Sequence, residues 1–117
     1  MITINLPFIV KSKSNNYRRG RGSFYKSKEM EQQEELMIRA ITSSIPSSYT
    51  LITTPVKVTI TLTYNDKRRR DLDGAAKAIL DCMNNLIYKD DSLIHVLIMS
   101  KTIGCPKAST TITVEVL

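Results

Sequence analysis

Between Val56 and Tyr64 every second residue is apolar (Val56, Val58, Ile60, Leu62, Tyr64), with Lys57, Thr59, Thr61 and Thr63 between them. A period of two describes a strand with one buried face, and threonine suits the other face of a sheet. Asn65-Asp66 ends the run, and the period then changes. Leu72, Ala76, Ile79, Met83 and Leu86 fall 4, 3, 4 and 3 apart, one face of a helix predicted over 72–87. A half-buried strand followed by an amphipathic helix commits the middle of the chain to helices layered on a sheet.

The flanks extend the pattern. Residues 2–8 alternate and predict a short strand, whereas 9–26 are polar, basic and glycine-bearing and predict a loop. Eighteen residues without structure are too many for an idle connector, which points to a binding loop or to disorder. Ser27 is a candidate N-cap, with Glu29 and Glu31 in the first turn, where the helix dipole favours acids. Met30, Met37, Ile38 and Ile41 carry a helical stripe to about Thr42. Residues 93–100 form a nearly continuous apolar run, predicted as a strand buried on both faces; Gly104 and Pro106 turn the chain, and 110–117 alternates again. The expected fold is α+β, two helices on a small mixed β-sheet in the order β-α-β-α-β-β. At 117 residues this is one domain, 1–117, in the range that buries roughly two-thirds of its unfolded surface.

Composition removes several function classes. The longest unbroken apolar run, Val96–Met99, is far short of a membrane span, and no signal peptide is readable in Met1–Val10. Cys82 and Cys105 form no CxxC pair and, with His95 the one histidine, cannot build a zinc site; a reduced, cytoplasmic chain is the expectation. His95, inside an apolar strand, reads as a structural histidine. Neither cysteine has the partners of a nucleophile. No GxxxxGK[ST] or GxGxxG is present, so no nucleotide cofactor is expected, and no [Asp/Glu]-x-Lys triplet occurs.

The net charge of +6 is unevenly placed. Residues 1–28 carry +7 and no acid (Lys11, Lys13, Arg18, Arg19, Arg21, Lys26, Lys28), and the remainder carries −1. Lys67-Arg68-Arg69-Arg70 stands directly before a segment, 71–91, with five aspartates. Basic segments around an acidic patch suit a polyanion held near bound cations, although an ordinary solvated basic surface has the same charge.

The chemistry-bearing segment is Arg70-Asp71-Leu72-Asp73-Gly-Ala-Ala-Lys77-Ala-Ile-Leu-Asp81, followed by Asp90-Asp91. Asp73, Lys77 and Asp81 lie four apart on one polar stripe, and Asp71 sits at the helix start. Gathered carboxylates repel unless a cation joins them, and Mg²⁺ or Mn²⁺ takes carboxylate oxygen without histidine or thiolate. Such a site can hydrolyse a phosphodiester, with a lysine on the stripe meeting the developing charge. The competing reading is a solvated i,i+4 ion-pair ladder, with Asp71 as an N-cap and Asp90-Asp91-Ser92 as a turn. The linker 82–92 is long enough to return Asp90-Asp91 to the sheet, but whether it reaches Asp71 is open.

The string RRRDLDGAAKAILDCMNNLIYKDDS resembles the signature of the RusA-type Holliday-junction resolvases, often encoded by phages and prophages: Asp-x-Asp, a lysine four residues on, an Asp four beyond it, and an Asp-Asp pair after the helix. Leu6-Pro7 and Asn15-Asn16-Tyr17-Arg18-Arg19 match the family's first strand and basic loop more loosely. The resemblance implies a homodimeric, Mg²⁺-dependent endodeoxyribonuclease that cuts four-way DNA junctions in paired nicks during recombination and repair. It implies catalytic roles for Asp71, Asp73, Lys77 and Asp91, and metal ligands among Asp71, Asp73, Asp90 and Asp91. DNA contacts would come from Lys11, Lys13, Asn16, Arg18, Arg19, Arg21, Arg68, Arg69 and Arg70. Gly74 stands where the family usually has Asn, at a cost of about 1 kcal/mol in helix stability. The alternative is a non-catalytic module of the same fold that binds branched DNA. A small scaffold protein with an acidic surface ladder is a third possibility.

Overall fold

Strand β4 (Val56–Thr63) lies inside the main sheet, as its alternation requires: Val56, Val58, Ile60 and Leu62 are fully buried and the residues between them half-buried. The computed structural model describes residues 1–11, 17–20, 23–26, 28–69 and 71–117, with 17–20 and 23–26 given by their backbone. The sheet has four strands, β1 (Ile2–Leu6), β4, β5 (Ile94–Thr102) and β6 (Ser109–Val116), in the spatial order β1-β6-β4-β5. β6 runs antiparallel to both its neighbours, and β5 runs parallel to β4.

Helices α1 (Lys28–Ser43) and α2 (Leu72–Met83) complete the predicted order β-α-β-α-β-β. Both are amphipathic. Met30, Met37 and Ile41 of α1, and Ala75, Ala76, Ala78, Ile79 and Met83 of α2, are buried. They meet a layer in which Ile4, Ile112 and Ile60 are cross-strand neighbours, flanked by Val114 and Val58. Thr110 is the buried polar residue of this layer among the described residues; its Oγ1 donates to the Phe8 carbonyl at 2.9 Å, so no hydroxyl is orphaned. The opposite face is polar, with Thr59 beside Thr113 and Thr61 beside Thr111.

Four expectations need correction. Residues 9–26 are not one loop: β2 (Tyr17–Gly20) and β3 (Ser23–Lys26) pair as an antiparallel hairpin. Ile38 is 43% exposed, so the buried stripe of α1 is narrower than predicted. α2 ends at Met83, four residues early, because Asn85 takes a left-handed φ of 62° and the chain turns. The largest correction concerns β5. It is an edge strand, open on both faces, with Val96 38%, Leu97 44% and Ile98 47% exposed. His95 is exposed on that edge as well, at the point where the β4–β5 register shifts. The Ser27 cap lies outside the described residues.

β4 and β5 are joined by α2, which must run back over the sheet because the two strands are parallel. Their far ends are clipped together. Tyr64 N–H donates to the Thr102 carbonyl (2.8 Å), Gly104 N–H to that of Asp66 (2.9 Å) and Cys105 N–H to that of Tyr64 (2.9 Å). Gly104 makes this turn at φ +69°, where a Cβ would be strained and would press on the Lys67 side chain at 3.3 Å. The segment leading into Asp71 is thereby fastened to the end of β5. No helix among the described residues is long and apolar enough to cross a membrane.

Candidate metal and nucleic-acid site

Asp71 occupies the N-cap position of α2 in an extended conformation (φ −95°, ψ 149°), yet its side chain accepts no capping hydrogen bond. Its carboxylate is exposed, as is that of Asp73 in the first turn. Two carboxylates thus stand at the positive end of the helix dipole, which draws anions. Lys77 follows one turn on, also exposed. Among the described residues the ion pairs are Lys11–Glu29 and Arg68–Asp66, and none joins Lys77 to Asp73 or Asp81. The ladder that competes with a functional reading is therefore not formed.

Cations crowd this end of the helix. Lys67, Arg68 and Arg69 are exposed immediately before Asp71. Arg68 is oriented by Asp66, which accepts from its backbone N–H (3.1 Å) and its Nε (3.3 Å). Lys11 is tied to α1: its N–H donates to Gln33 Oε1 (2.8 Å), and its ammonium lies 3.8 Å from Glu29. Arg18 and Arg19 fall on β2, while Lys13, Asn16, Arg21 and Arg70 lie outside the described residues.

Asp81, Asp90 and Asp91 gather at the opposite end of α2. Asp81 is in its last turn, and the chain then passes through the Asn84–Tyr88 turn to Asp90 and Asp91 just before β5. Asp90 caps a single 3-10 turn (Asp91–Leu93), accepting from Ser92 N–H at 3.0 Å. Asp91 is exposed, with its carboxylate outside that cap. Hydrogen bonds from the Ser92 side chain, and secondly its backbone, hold the Asp90 carboxyl below the usual aspartate value of 3.8. A depressed folded-state value means that the cap is at full strength above 3.8 and weakens as pH falls through the lower folded value. An NMR titration should place the Asp90 midpoint below 3.8, with the Ser92 amide shifting in step. A midpoint at or above that value would show the cap to be absent in solution.

Tyr88, which is outside the predicted site residues, is fully buried beneath this acidic end. Burial first, then the charges of Asp91, Asp81 and Asp90, push its phenol well above the ordinary tyrosine range, so it remains a neutral donor. Its position two residues before the Asp90-Asp91 pair, after the Asn84-Asn85 turn, was the available signal.

Within one chain, then, the predicted ligands form two pairs. Asp71 and Asp73 stand at the start of α2 and Asp90 and Asp91 beyond its end, a helix length of about 18 Å apart. Among the described residues no group of three His, Cys, Asp or Glu side chains is placed to hold a metal. Carboxylates are the right donors for Mg²⁺ or Mn²⁺, and each end of the helix offers two of them.

No curated protein matches the chain. The sequence pattern of the endodeoxyribonuclease RusA family matches residues 7–115, covering both helices, both aspartate pairs, Lys77 and the basic segments. The chain belongs to the RusA endodeoxyribonuclease family.

Proposed function

We propose that the chain is a homodimeric, Mg²⁺-dependent endonuclease that resolves four-way DNA junctions by paired cuts, each metal site being built from two copies. One observation carries this reading. The two carboxylate pairs lie at opposite ends of a β-α-β unit whose outer strand is an open apolar edge.

Natural edge strands are commonly short, charged or covered. β5 has nine residues and no charge from Val96 to Ser100. A second copy related by a two-fold axis normal to the sheet pairs with it antiparallel and covers Val96, Leu97 and Ile98. Centred on Ile98, that pairing sets Ile94 against the partner's Thr102. Asp90 and Asp91 stand one short turn before Ile94, and Thr102 is clipped to the segment that leads into Asp71. Antiparallel pairing therefore brings the Asp90–Asp91 end of one copy to the Asp71–Asp73 end of the other, and does so twice.

The combined set is oxygen-only and suits Mg²⁺ or Mn²⁺, which when bound supplies an activated water and stabilises the leaving oxyanion. Asp71, Asp73 and the partner's Asp91 would be ligands, with Asp90 holding the turn that presents Asp91. Lys77 faces the scissile phosphate as a free cation. Lys67, Arg68, Arg69 and Arg70 hold flanking phosphates, and Lys11, Lys13, Asn16, Arg18, Arg19 and Arg21 extend that contact along the DNA. Two sites related by a two-fold axis suit symmetric nicks on opposed strands.

Ile98→Lys tests the edge. A charge at the centre of the pairing should give a folded monomer in sedimentation equilibrium. Mg²⁺-dependent nicking of a labelled mobile four-way junction should fall at least a hundredfold, while the parent cuts the junction in preference to linear duplex. A monomeric variant that cuts at the parental rate rules out the two-copy site.

A further inference from the structure

We propose that Tyr88 is a positioning residue that fixes where Asp90 and Asp91 stand, and so how tightly the two-copy site holds Mg²⁺ or Mn²⁺; this rests on the site reading above. Tyr88 is the last buried residue before the chain emerges as Lys89-Asp90-Asp91, all exposed. Its hydroxyl donates to the Leu80 carbonyl at 2.9 Å. In a continuing helix that carbonyl would receive the Asn84 N–H, which here goes to Asp81 instead (3.3 Å). The phenol thus ties the aspartate-bearing segment to the last turn of α2.

The backbone around it is fixed as well. The Tyr88 carbonyl accepts from Asn85 N–H (2.8 Å), Lys89 N–H donates to the Ile52 carbonyl (3.0 Å), and Ile52 N–H donates to that of Ile87 (3.1 Å). Only two residues separate this anchor from the second aspartate, so a shift at Tyr88 passes almost undamped to the carboxylates. The turn is also costly. Asn85 adopts the left-handed region without being glycine, and Asn84 Oδ1 is buried with no hydrogen-bond partner. Strain of this kind is retained where its product is useful, and the product here is the placement of the aspartate pair.

Tyr88→Phe keeps the ring and removes the tie. In the full-length chain, Mn²⁺ affinity followed by the electron paramagnetic resonance of free Mn²⁺ should fall about tenfold, as for loss of a group that orients a ligand. The Mg²⁺ concentration for half-maximal cleavage should rise in parallel, with the rate at saturating Mg²⁺ within a few-fold of the parent. Thr110→Val, which removes a buried hydroxyl bond elsewhere in the core, is the matched control and should lower the melting temperature without changing Mn²⁺ affinity. Parental Mn²⁺ affinity in Tyr88→Phe, or an equal loss in Thr110→Val, overturns the positioning role. A parent chain with no Mn²⁺ binding sensitive to Asp73→Asn overturns the site reading, and the inference with it.

Discussion

An equimolar mixture of Asp73→Asn and Asp91→Asn chains should cut a four-way junction that neither variant cuts alone. In a site built from two copies, each homodimer lacks a ligand in both of its sites. A heterodimer gathers both lesions into one site, and the other then has Asp71 and Asp73 from one chain and Asp91 from its partner, all intact. Random reassortment makes half the dimers mixed with one working site each, so about a quarter of the parental nicking rate should return. The product should be a single nick, since the opposed site in the same dimer is dead. Each variant alone should bind junction DNA as well as the parent or better, because a negative charge has left a phosphate-facing surface, while cutting at least a hundredfold slower. Sites complete within one protomer would give no recovery on mixing. That result would leave the separation of Asp71 from Asp91 along α2 without a functional meaning.

The same separation marks the limit of what the sequence discloses. The aspartates and Lys77 are legible as a motif, and β4 and α2 as its supports, because side-chain period is a local property. Which carboxylates meet depends on strand direction. Parallel pairing of Val56 with Ile94 and Thr63 with Thr102 sends the start of α2 to one end of the sheet and the start of β5 to the other. A β-α-β reading of residues 56–100 contained that geometry in principle. The misread end of α2 has a specific cause: Leu86 and Ile87 continue the apolar pattern, and Ile87 N–H still bonds to the Met83 carbonyl (3.0 Å), although the helix has ended. In β5 the error lay in assigning burial. A continuous apolar strand implies cover on both faces, and in one chain that cover is missing over Val96–Ile98. The β2–β3 hairpin was hidden because its two four-residue strands, Tyr-Arg-Arg-Gly and Ser-Phe-Tyr-Lys, carry no apolar alternation.

Lys77→Met should reduce the cutting rate at saturating Mg²⁺ by a hundredfold or more, about 2.7 kcal/mol of lost transition-state stabilisation. If Lys77 were a rung between Asp73 and Asp81, the substitution would instead cost roughly 0.5 kcal/mol of stability and leave cleavage alone. The exposed ammonium has neither aspartate within ion-pair distance, so its removal should scarcely move a thermal melt. It stands one turn from Asp73, on the polar side of a helix whose other side is fastened to the sheet by Ile79 and Met83. Its reach towards a phosphate held at the start of α2 is therefore set by a rigid element. Lys77→Arg should restore only part of the rate, because a planar guanidinium does not occupy the point an ammonium does. Mn²⁺ affinity should be parental or slightly higher in Lys77→Met, since a positive charge beside the cation has gone. Single-turnover cutting of a four-way junction, measured beside a melt of each variant, separates the two roles. A methionine variant that cuts at the parental rate removes Lys77 from the chemistry, whatever the fate of the carboxylates.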